Sequence, residues 1–187
     1  LQQPAAGYIQ PFGDSPLDQD NVGEAVYMQL ISTARRYVYI TTPYLVLDNE
    51  MLTALSVAAK SGVDVRIIMP GIPDKKLVYM VTRSFYPQLF RAGVRLYEYR
   101  PGFLHAKMIV ADDEIGVVGT MNMDFRSFYM HFECGTVFYS NDVVMQAKED
   151  IEEIMAVSRE IDEEWLRRVS WPTSIAASLL RLFAPLL

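Results

Sequence analysis

His105-Ala106-Lys107, then Met108 to Ala111, Asp112, six further residues, and Gly119-Thr120-Met121-Asn122 form one tract that decides the reading of this chain. Leu104 to Ala111 is apolar and β-branched enough for a strand. Ala111-Asp112-Asp113-Glu114 reads as a turn, and Ile115 to Gly119 as the returning strand. On a strand alternate residues share a face, so His105 and Lys107 point the same way, roughly 6–7 Å apart. A hairpin centred near Asp113 sets His105 opposite position 121 and brings Asn122 in from the far arm. A one-residue slip would undo that arrangement. Gly119 permits a close backbone approach or a bend.

The residue types suit phosphorus chemistry. An imidazole is mostly neutral at pH 7, because its unperturbed pKa is about 6.5. In that form it can attack phosphorus and make a covalent intermediate. Lys107 supplies a positive charge for non-bridging oxygens, and Asn122 an amide donor. Glu133 opens a further strand-like run, Glu133 to Tyr139, between Phe132 and Cys134. A carboxylate in apolar surroundings needs a partner. A histidine ring nitrogen would be one, its tautomer then fixed by the carboxylate.

His-x-Lys-x4-Asp-x6-Gly-Thr-x-Asn resembles the signature of the phospholipase D superfamily. The flanks Tyr39-Ile-Thr-Thr-Pro-Tyr44, Tyr97 to His105, Asn122-Met-Asp-Phe-Arg-Ser127 and Phe132-Glu133 are similar to the second catalytic domain of bacterial cardiolipin synthases. So is the ending, Leu179 to Leu187. The likeness runs from about Gln10 to Leu187. It implies an α/β/α layered domain with a mixed sheet and a single histidine–lysine–aspartate motif. It implies that His105 is the nucleophile or the general acid of a two-histidine pair, that Lys107 and Asn122 hold phosphate, and that Glu133 orients a histidine. Asp112 belongs to the signature, but as a turn residue it is expected to hold the hairpin. No metal and no cofactor is implied, and two histidines with one cysteine give no metal-ligand spacing.

The function implied is phosphatidyl transfer between two phosphatidylglycerol molecules, giving cardiolipin and glycerol through a phosphohistidine. This chain would supply one half of the site. The partner is an upstream catalytic half or a second copy of the chain, working at a membrane surface in a bacterial cell. The alternatives are a homodimeric phosphodiesterase, phospholipase D hydrolase or nuclease, and a non-catalytic phosphate- or lipid-binding module.

At 187 residues the chain can bury a full core. A net charge of −6 argues against a nucleic-acid groove, which needs a basic face. Any attraction for anionic lipid must then be local to the site. The single cysteine, Cys134, excludes an internal disulfide and fits a reducing compartment; it reads as small buried filler. No signal peptide and no apolar run of about 18 residues occurs. A start at Leu1 rather than Met reads as a piece of something longer.

Residues 1–20, rich in Pro, Gly, Gln and Asp, read as a linker. Residues 21–170 form the catalytic domain. Asn21-x-x-Glu24 suggests a capping box for a helix from Val22 to Arg36. A strand at Tyr37–Thr42, a helix at Glu50–Lys60 and a strand at Val63–Met69 follow. A helix at Lys75–Ala92, interrupted near Pro87, precedes a strand at Val94–Tyr99. One long helix is expected from Asp142 to Arg168, with Ile151, Ile154, Met155, Ser158, Ile161 and Trp165 on one face. Its acidic run, Glu149 to Glu164, reads as a solvated face. Loops at one end of such a sheet line the site, so Tyr44 is a candidate headgroup contact. Arg126 and Ser127 bind phosphate or make turn contacts. His131 has no motif partner and reads as surface or satisfied core. The apolar tail, residues 171–187, either lies in a membrane interface or docks on a core.

Overall fold

The computed structural model describes residues 7–17, 20–168, 177 and 179–182. In chain order the elements are β1 (Tyr8–Asp14), α1 (Val22–Thr33), β2 (Tyr37–Thr41), β3 (Leu45–Val46), α2 (Asn49–Lys60), β4 (Asp64–Pro70), α3 (Lys76–Ala92), β5 (Arg95–Tyr99) and β6 (Met108–Ala111). Then come β7 (Ile115–Gly119), β8 (Met123–Asp124), α4 (Phe125–Tyr129), β9 (Glu133–Tyr139), α5 (Asp142–Ala156), β10 (Ser158–Glu160) and α6 (Glu163–Arg168). The main sheet has the order β1-β9-β7-β6-β2-β4-β5-β10, and β3 pairs with β8 in a small second sheet. β2, β4 and β5 run parallel, and the hairpin strands attach antiparallel to β2. This is the expected α/β layering around a mixed sheet.

Side-chain alternation builds the two faces. Val38, Ile40, Val65, Ile67, Leu96 and Ile109 enter one core under α1, α2 and α3. Tyr39, Ile68, Tyr97 and Val110 enter the other, under Val144, Ala147 and Ile151 of α5. Strands buried on both faces explain why β2 is closed to solvent along its whole length.

Several expectations fail where a long-range contact overrides a local pattern. The lead-in is not all linker. Tyr8–Asp14 pairs with the whole of β9 as an edge strand, where Pro11 costs no ladder bond on its open side. Asp14 then does what the expected capping box does not. Asn21 makes no side-chain cap. Asp14 carboxylate oxygens accept from Val22 N (3.3 Å) and Gly23 N (2.7 Å). Glu24 instead accepts from the Tyr129 hydroxyl at 2.8 Å.

The long helix also breaks. It ends at Ala156, and Ser158–Glu160 pairs antiparallel with β5. An open β5 edge leaves a row of backbone groups unpaired, and Arg95 adds a salt bridge to Glu160 at 2.9 Å. The break carries the chain round the sheet edge. Ile151, Ile154 and Met155 lie in one core, whereas Ile161 and Trp165 lie in the other. One straight helix could not serve both. Asp162, whose carboxylate accepts from Trp165 N at 2.7 Å, restarts it. Conversely, Pro87 does not interrupt α3. Phe85, Tyr86 and Leu89 around it are at most 1% exposed, and such burial, about 1.5–3 kcal/mol per side chain, offsets a lost helical bond.

Cys134 is exposed rather than buried. Of the tail, Ala177 is buried, Leu180 packs on the first core, and the Arg181 guanidinium lies 3.8 Å over the Phe85 ring. Arg181 thus sits on α3; Ile175 and Phe183 lie outside the described residues. Among the described residues no helix is long and apolar enough to cross a membrane.

Candidate active site

Asp112 and Asp113 close the hairpin with φ of +59° and +63°. Positive φ at both central residues of the Ala111–Glu114 turn gives a twist that suits the strands, and Glu114 adds a third loop residue before pairing resumes at Ile115. Glu114 N donates to Ala111 O at 3.0 Å. The register pairs Met108 with Val118 and Ala111 with Ile115. Extended by three residues, it sets His105 against Met121, as the sequence predicts. Regular pairing, however, begins at Met108. His105 and Lys107 sit on the extended segment just before β6, where Thr41 Oγ1 accepts from Met108 N at 3.1 Å. Gly119 N still reaches Lys107 O at 3.2 Å. A side chain at Gly119 would strike Cys134 O at 2.5 Å, so glycine lets β9 close on the hairpin.

His105 and Lys107 line one open groove of about 530 Å³ with Gly119, Thr120 and Asn122. His105 is exposed and is stacked on Phe103, with ring centroids 5.4 Å apart; the Tyr44 ring meets it edge-on at 6.4 Å. Partial burial, then the charges of Lys107 and Lys75, hold its pKa below the ordinary value, against the pull of Asp74. Lys107 is 9% exposed and donates to His105 O at 2.8 Å. Burial lowers its pKa too, opposed by Glu133 and Asp124.

Ser127 ties the rest together. Its buried hydroxyl accepts from Asn122 N (3.2 Å) and Asn122 Nδ2 (3.0 Å), and donates to Glu133 Oε1 at 2.9 Å. Asp124 caps α4 by accepting from Ser127 N at 2.7 Å, and burial raises its own pKa. Glu133 Oε2 accepts from the Thr120 hydroxyl. Asn122 Oδ1 is buried with no donor against it.

The other candidates are spread around the hairpin. With its hydroxyl enclosed, Ser127 has no group left to offer a phosphate; it positions Asn122 and Glu133. Glu133 makes its hydrogen bonds to Ser127 and Thr120, and its nearby histidine is His131, with Nδ1 3.7 Å from Oε1. Asp112 lies at the far end of the hairpin. There it accepts from Arg35 N (2.7 Å), Arg36 N (2.8 Å) and Tyr37 N (3.0 Å), pinning the turn to the start of β2. Tyr44 stands beside His105 as the loop argument requires, with its hydroxyl donated to Asp74. Sequence reading missed His131 and Lys75. The available signal for His131 was its spacing, two residues before Glu133, which shares a face on an extended segment. Both lie with Tyr44, Asn122, Asp124 and Arg126 around a cavity of about 230 Å³ beside the groove. Among the described residues no group of acidic, histidine or cysteine side chains is placed to hold a metal ion.

Residues 27–155 match the family model described as cardiolipin synthase, PLD-like domain. A Geobacillus kaustophilus protein named cardiolipin synthase is 41% identical over 181 residues, which are 97% of this chain and 36% of that protein. An uncharacterized Streptococcus mutans protein is 49% identical over 183 residues, 98% of this chain and 40% of that one. The chain thus spans about two fifths of the length of such relatives. Among solved structures, phosphatidylserine synthase from Haemophilus influenzae superposes with a TM-score of 0.71 at 15% identity, covering 100% of this chain and 49% of that chain. Nuc from Salmonella typhimurium, a phospholipase D family member, gives 0.70 at 16% identity, covering 83% of this chain and 99% of that chain. Those two likenesses establish a common fold. With the family model matched from α1 to α5, the chain belongs to the cardiolipin synthase, phospholipase D-like domain family.

Proposed function

We propose that this chain supplies one half of a phosphatidyltransferase site that joins two phosphatidylglycerol molecules into cardiolipin and glycerol. The observation that carries this is the groove in which His105, Lys107 and Asn122 meet beside Tyr44. A nitrogen of one histidine forms a P–N bond while the P–O bond to glycerol breaks. Glycerol leaves with a proton from the second histidine, which the other half of the site provides. The hydroxyl of the second phosphatidylglycerol returns a proton to that histidine, forms a new P–O bond and releases the first histidine. Lys107 offsets charge on the non-bridging oxygens; its burial keeps that interaction strong. Asn122, held by Ser127, donates to the same oxygens. The chemistry of the groove needs no cofactor, and the catalytic assembly works at a membrane surface, where its lipids reside. The hydrolase or nuclease alternative draws on likeness of fold to Nuc, whereas the 41% identical relative carries the synthase name.

The test uses phosphatidylglycerol vesicles, with the chain alone and with the upstream catalytic half that this reading requires. Cardiolipin and glycerol are expected from the completed site and are lost in His105→Ala. No cardiolipin from the completed site overturns the reading.

A further inference from the structure

The cavity beside the groove is a separate volume with its own chemistry, and Asn122 and Tyr44 form the boundary. Asn122 lines both spaces. Tyr44 lines the cavity and its ring meets that of His105 in a T-shaped contact. At about 230 Å³ the cavity is smaller than the roughly 300–1,000 Å³ that encloses a drug-sized ligand, so it suits a headgroup rather than a lipid. Its walls are mixed. Lys75, Arg126 and His131 offer donors to an anion. Asp124 adds a carboxylate acceptor. A bare phosphate uses only the first group. A phosphate carrying free hydroxyls uses both the donors and the carboxylate.

We infer that this cavity, lined by Tyr44, Lys75, Asn122, Asp124, Arg126 and His131, is the acceptor subsite and takes the glycerophosphate headgroup of the second phosphatidylglycerol. The inference rests on the transfer reading above and deepens it. Holding the acceptor in the space beside the His105 groove raises the local concentration of its hydroxyl over that of water. The cavity thus sets whether the phosphohistidine is resolved by lipid or by water.

Two measurements test this. In the completed site, Lys75→Gln and His131→Gln should each lower the ratio of cardiolipin to phosphatidic acid about tenfold, the loss expected for one charge-assisted or ionic contact. A ratio unchanged in both variants overturns the assignment, and so does a parallel fall of both products. If the unaltered protein makes phosphatidic acid but no cardiolipin, the transfer reading fails, and the second measurement decides the cavity by itself. The chain contains two histidines, so its imidazole NMR spectrum reports His105 and His131 separately. Glycerol phosphate should shift the His131 ring at concentrations where inorganic phosphate does not, and Lys75→Gln should weaken that shift about tenfold. Glycerol phosphate that moves only His105, or inorganic phosphate that moves His131 equally well, overturns the subsite.

Discussion

His105 stands where burial and two lysines work against its protonated form. The sign follows directly. A pKa below the ordinary 6.5 keeps the ring neutral, hence nucleophilic, to lower pH. As nucleophile, His105 gives kcat/KM an acid limb with its midpoint below pH 6.5, and Lys107→Met moves that midpoint upward. An alkaline limb at the same pKa assigns it the proton-donor role instead. An imidazole titration by NMR at or above 6.5 overturns the shift itself. Ser127 is the second residue whose role is local and testable. Ser127→Ala removes the link between Asn122 and Glu133. Expected are a loss of about 1–2 kcal/mol in urea unfolding and roughly a tenfold fall in kcat. Undiminished kcat would show that Asn122 needs no such support. His105, Lys107 and Asn122 were legible in the sequence because their spacing is local to one hairpin. The enclosure of Ser127 was not, because it depends on Glu133 arriving from β9.

The hairpin is the element that turns spacing into geometry. Its register follows from a three-residue loop, Asp112 to Glu114, and the loop follows from two aspartates that tolerate positive φ. Asp112→Ala loses three backbone donors and places alanine at φ +59°. We expect about 2–4 kcal/mol of destabilisation, read as a lower urea midpoint, with Asp112→Asn between the two because asparagine tolerates that conformation. A loss of activity without loss of stability would return Asp112 to the chemistry. Asp113 contributes separately. Lys148, then Tyr37, hold its pKa down at about 2, below the ordinary 3.8. The stability it adds is therefore present above about pH 4 and lost as pH falls through about 2. Lys148→Met should flatten that stretch of the stability–pH curve; an unaltered curve would remove Asp113 as its source. The ending of α5 shows the limit of periodicity. Ile161 and Trp165 keep helical spacing with Ile154, yet the β5 edge claims Ser158–Glu160.

Across the whole molecule, a buried carboxylate holds the site's loops to the sheet. Glu98 Oε1, on β5, accepts from Arg83 Nε (3.0 Å), Arg83 Nη2 (2.8 Å) and Tyr79 Oη (3.2 Å). The Tyr79 hydroxyl also reaches Gly71 O at 3.0 Å. That loop carries Asp74 and Lys75 to Tyr44. Arg83 lies against Trp165, so α6 closes the same network. Glu98→Ala should cost about 2–4 kcal/mol in urea unfolding, with Glu98→Gln recovering part of it. A smaller cost would mean that Arg83 finds solvent without strain.

The sequence by itself determined the layered α/β class, the hairpin register and the family, because alternation, turn chemistry and an eighteen-residue signature are all short-range. Only the tertiary structure decided four things: the Asp14 cap on α1, the strand that splits the last helix, the Ser127–Glu133 bond, and the cavity that gathers Lys75 and His131 beside Asn122. Each joins groups brought together by the order of strands in the sheet. Strand order is set by which edges and faces must be buried, and no local pattern records it.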